Sequence, residues 1–117
     1  MRTVTLLCLS LASGLSGLSG VASAQVDAKT QRAWKAKCSA CHGEDGKGQT
    51  DAGKKVGVSD MSQAAWQKKT TDEQMKTAIT KGIKEKRDGR DVEMAAFPEL
   101  KAADVDALVK LVRSYSK

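Results

Sequence analysis

The run Cys38-Ser39-Ala40-Cys41-His42 constrains this chain more than any other stretch. On a helix, positions i, i+3 and i+4 are neighbours, so both thiols and the imidazole share one face. His42 is the only histidine in 117 residues. A disulfide between Cys38 and Cys41 would close too short a loop to stabilise much. A zinc site needs four ligands, and two thiols with one imidazole fall short. A thiol–disulfide exchange domain needs a βαβ pattern around its Cys-x-x-Cys, and none is visible here.

The first 24 residues read separately. Met1-Arg2 is a basic start, Val4 to Leu11 is a Leu-rich apolar run, and Ala22-Ser23-Ala24 ends the segment. That order predicts a cleaved signal peptide at 1–24 and a domain at 25–117. An uncleaved anchor would need about 20 apolar residues, and Ser and Gly dilute the second half of this stretch. Cys8 lies inside the apolar run and is discarded with it. Export predicts a periplasmic location, with no stable membrane insertion after cleavage.

What remains is thin in core-forming residues. Trp34, Trp66, Phe97 and Tyr115 are the only aromatics of the expected domain, and a domain this small needs help to bury enough apolar area. One haem c, attached through thioethers to Cys38 and Cys41 and ligated by His42, would supply that body. A second haem is excluded because there is no second motif. The opposite axial ligand cannot be histidine, which leaves Met61, Met75 and Met94 as soft donors. Met75 falls on a helical apolar stripe and reads as core. Met94, in a loop 52 residues after His42, is the preferred candidate, with Met61 as the alternative.

The periodicity predicts an all-α fold of three to five helices. Asp27 caps a first helix to Lys37, and a short helix surrounds Trp66 at Ser62 to Lys68. Thr71 and Gln74 form a capping box for the next helix. A final helix over Ala102 to Ser116 buries Val105, Leu108, Val109, Val112 and Tyr115. Gly43 to Gly57 and Lys84 to Pro98 read as loops, the second with a turn at Asp88-Gly89.

On these motifs the chain resembles class I cytochromes c, most like the small bacterial and c6-like members, over residues 27–117. Cys38 to Gly43 resembles the haem-attachment site, Met94-Ala95-Ala96-Phe97 the methionine-ligand loop, and Leu108 to Arg113 the last helix. Trp34 stands where the family packs an aromatic on that last helix, here against Leu108 and Leu111. Three positions depart from the pattern. Thr30 replaces a small residue at the crossing of first and last helices. Thr50-Asp51-Ala52 lacks the proline whose carbonyl accepts the histidine N–H, and Ala95 replaces the proline after the methionine.

The resemblance implies an electron carrier, not an enzyme: His and Met together leave iron no open position. The alternatives are a dedicated subunit of a dehydrogenase or oxidase complex, and a ligand-binding haem protein with an open sixth site. The expected domain carries 19 basic and 14 acidic side chains. With few stacking aromatics, that balance suits acidic redox partners better than nucleic acid. Lys29, Arg32, Lys35 and Lys37, with Lys84, Lys86, Arg87 and Arg90, are the candidate docking cations.

Overall fold

The computed structural model describes residues 25–116, so the expected signal peptide at 1–24 lies outside the described residues. Helix α1 spans Ala28–Lys37, and its cap is the expected Asp27, whose carboxylate accepts the Thr30 N–H at 2.8 Å. The Thr30 hydroxyl donates to the same carboxylate, so this larger side chain is buried with its polar atom satisfied. One turn, α2 (Ser39–His42), follows almost directly. After a loop come α3 (Asp51–Lys55), α4 (Ala64–Lys69) and α5 (Asp72–Lys81), the last opened by the expected Thr71–Gln74 capping box. Strands β1 (Ile83–Arg87) and β2 (Arg90–Met94) precede the long final helix α6 (Ala102–Ser114).

The core lies where α1, α5 and α6 meet. Trp34, Met75, Ile79, Val105, Leu108 and Val112 belong to one buried cluster, and Leu108 is only 1% exposed. Leu111, the other expected partner of Trp34, is buried in it too. Burying a leucine this completely stabilises the fold by about 2–3 kcal/mol. A second fastening ties α6 to the start of α5. The Arg113 guanidinium donates to Asp72 Oδ1, to the carbonyls of Gln67 and Thr70, and to Gln67 Oε1. Gln67 Nε2 in turn donates to the Met61 carbonyl at 2.7 Å and the Val112 carbonyl at 2.9 Å. Nothing in the helical pattern marks Arg113 or Gln67 for this work.

Two expected loops are partly regular, so the all-α expectation holds only for the helical part and the helix count rises to six among the described residues. Lys84 to Pro98 is not a plain loop: Ile83 to Met94 form an antiparallel hairpin. Asp88 and Gly89 both have positive φ, +50° and +76°, which suits the two-residue turns that match strand twist. The strands escaped detection because β1 reads Ile-Lys-Glu-Lys-Arg, with one apolar residue and no alternation. Cross-strand pairing decides the matter: Lys84 faces Glu93 and Lys86 faces Asp91, and opposite charges across a ribbon favour it.

Helix α3 likewise lies inside the glycine-rich stretch expected to be a loop. The Thr50 hydroxyl caps it by accepting the Gly53 N–H at 2.9 Å, and donates to the Ala40 carbonyl at 2.8 Å. The helical residue at 53 has to be glycine because no side chain fits: a Cβ would stand 2.2 Å from the Cys41 carbonyl oxygen.

Candidate cofactor cavity

Cys38 caps the end of α1, its N–H donating to the Trp34 carbonyl at 2.8 Å. Its carbonyl accepts the His42 N–H at 2.9 Å, so the helical course carries from α1 through the motif. Cys38 is buried and Cys41 half-buried, and both thiols are free. Burial pushes the Cys38 thiol up to about 11, because desolvation disfavours the thiolate. Burial also lowers the His42 imidazole, favouring the neutral form that can ligate a metal. The Trp34 ring lies 5.8 Å from the His42 ring and 5.4 Å from that of Tyr115. Its indole N–H donates to the Gly43 carbonyl at 3.0 Å, which fixes the indole beside the histidine.

His42 Nδ1 is buried with no hydrogen-bond partner. The acceptor that the missing proline left unassigned is therefore not replaced among the described residues. Thr50 instead ties its loop to the backbone of Ala40 and Cys41. The orientation of the His42 ring rests on packing against Trp34.

Cys38, His42, Met61 and Met94 all border one cavity of about 730 Å³. Met75, expected only as core, borders it as well. Cys41 is not among its walls. The floor is apolar, with Ile79, Val92, Leu108 and Val112 among its residues. Its volume falls in the range of sites that take cofactor-sized molecules. An apolar cavity edged by a cysteine, a neutral histidine and thioether sulfurs has the donor chemistry of an apolar, iron-bearing macrocycle. Two walls were not foreseen. Val56 to Ser59 supplies one, and the inner side of the hairpin supplies the other. The Asp-Gly dipeptide was the available signal for the second.

The methionine-bearing side is held by backbone contacts. Val56 accepts the Glu93 N–H at 3.3 Å, and Ile79 accepts the Phe97 N–H at 2.8 Å. Gly82 has φ +73°, and a Cβ there would stand 2.5 Å from the Met94 carbonyl oxygen. Glycine at 82 lets the turn after α5 pass directly beneath the segment that carries Met94.

The sequence matches the cytochrome c family model over residues 28–116. This chain belongs to the cytochrome c family. It is similar to the solved structure of the KustC0563 c-type cytochrome, with 34% identity and a TM-score of 0.63. The match covers 75% of this chain and 98% of that one. No curated protein is significantly similar. Membership of the cytochrome c family implies covalently bound haem c, and Cys38 and Cys41 fit its Cys-x-x-Cys-His motif. Among the described residues, no helix is long and apolar enough to cross a membrane.

Proposed function

We propose that this cytochrome is a periplasmic carrier of single electrons, exported by residues 1–24, with one haem held by Cys38, Cys41, His42 and Met94. Bound in the cavity, haem c supplies a one-electron ferric/ferrous couple. Cys38 and Cys41 would retain the group covalently, and His42, neutral in its buried setting, would be one axial ligand. The observation carrying this reading is that a single cavity is bordered both by Cys38 and His42 and by methionines of separate segments.

Met94 is favoured over Met61 by how each is tethered. The Met61 N–H donates to the Gly46 carbonyl, in the loop that follows His42. Met94 ends β2, a different element whose inner face borders the cavity. Two protein ligands leave no vacant position for substrate, which supports a carrier over a catalyst. For docking, Lys29 pairs with Asp104, Lys37 with Glu99, Lys86 with Asp91 and Arg87 with Glu85. Arg32 and Lys35 on α1, with Lys84 on β1 and Arg90 on β2, are exposed and without an ion-pair partner among the described residues, and are the better candidates for an acidic redox partner. Electron-transfer rates that fall with added salt would support that docking; salt-independent rates would oppose it.

The decisive test is expression in a host with a c-type maturation system. The expected product is coloured, its mass exceeding the polypeptide by one haem, and Cys38→Ala with Cys41→Ala abolishes attachment. In ferric protein the weak charge-transfer band of a thioether-ligated haem is lost in Met94→Ala and kept in Met61→Ala. The reverse pattern would reassign the ligand to Met61. A band absent from the wild type, with a high-spin spectrum, would favour a ligand-binding protein.

A further inference from the structure

The inner face of the hairpin changes character along its length. Residues opposite one another across a ribbon share a face. Here Ile83 opposes Met94, Glu85 opposes Val92, and Arg87 opposes Arg90. Near Met94 that face is apolar, with Val92 buried and Met94 half-buried. Toward the turn it becomes ionic, and Glu85 and Arg87 still border the cavity. Lys84 and Lys86 alternate with these residues along β1 and do not border the cavity, although Glu93, which opposes Lys84, does.

A haem is amphipathic in the same sense, an apolar macrocycle with two carboxylates on one edge. Resting on the haem c reading above, we propose that Arg87 binds a haem propionate, with Glu85 holding the guanidinium against the cavity wall. The contact between them uses Arg87 Nε. The terminal nitrogens make no other hydrogen bond among the described residues, so the fork that grips a carboxylate in two-point fashion is free. Lys69 is the other permanent cation bordering the cavity. It offers only a point charge on a flexible stem, and no ion pair anchors it among the described residues.

The test compares Arg87→Gln, Lys69→Gln and Lys86→Gln in haem-loaded protein, reading midpoint potential and the propionate-bending band of the resonance Raman spectrum. Each variant removes one positive charge. Arg87→Gln shifts the band and lowers the potential, because a cation near the iron disfavours the ferric state. Arg87→Lys recovers potential but not the band position. Lys86→Gln, altered on the opposite face, leaves the band in place. A band shift in Lys69→Gln and not in Arg87→Gln overturns the assignment. So do equal potential shifts in Arg87→Gln and Lys86→Gln with an unmoved band. Wild-type protein whose mass shows no attached haem would sink the haem reading itself, an outcome distinct from either of these.

Discussion

On the attachment side of the cavity, α1 runs into Cys38–His42 and packs with α6 around Trp34 and Leu108. On the other side, Met94 sits at the end of a charged two-stranded ribbon fastened by single backbone bonds to Val56 and, just beyond, to Ile79. The first wall is made of two almost consecutive helices and buried apolar side chains. Its local hydrogen bonds and its tertiary packing point the same way. The second has one buried ribbon side chain, Val92, and its position depends on groups distant in sequence. Stability is therefore expected to concentrate on the attachment side, and adjustability of the iron's surroundings on the methionine side.

Substitutions that separate stability from ligation can break that contrast. The largest effect on folding is expected at Leu108, because its side chain is enclosed and its removal leaves a cavity. Leu108→Ala should destabilise by about 3 kcal/mol in denaturant unfolding, with the methionine charge-transfer band of the folded protein kept. Loss of the band in that variant would mean the two walls are not independent. Gly82→Ala should do the opposite. A Cβ against the Met94 carbonyl at positive φ displaces the segment that carries Met94, so on the proposed ligation the band should weaken or vanish while stability falls by about 2 kcal/mol. An unchanged band would show that the turn after α5 does not position Met94.

The smallest effect sharpens the contrast at its edge. Hydrogen bonds from the Thr30 N–H and hydroxyl hold the Asp27 carboxyl below its ordinary value of 3.8. A lowered folded-state value contributes stability above the unfolded value and loses it as pH falls through the folded one. Wild type should therefore exceed Asp27→Asn by a constant margin at neutral pH, and the margin should shrink below about pH 4. Thermal unfolding across pH 3–7 (about that range) measures it. A margin that grows on acidification would contradict the assignment of Asp27 as an ionised cap.

Much of the attachment wall was legible in advance, for reasons visible in particular residues. Asp27 and Thr71 are caps whose partners lie three residues away, and α6 repeats apolar residues at helical spacing. The haem motif lies within five consecutive residues. The hairpin was not legible because Lys84, Glu85, Lys86 and Arg87 offer no apolar alternation, and their partners are chosen across the turn. Gly53 looked like a loop glycine; only the Cys41 carbonyl pressed against it shows why a helical residue there must lack a side chain.

The amino-acid sequence by itself determined the helices of the frame, the covalent motif and the family, because each depends on residues within a turn or two of one another. Tertiary structure alone decided that Met61, Met75 and Met94 border one cavity with His42, that the ribbon closes it, and that Arg113 and Gln67 lock α6 to α4 and α5. Those arrangements join groups tens of residues apart. Their energy comes from burial and hydrogen bonds that exist only once the chain has closed on itself.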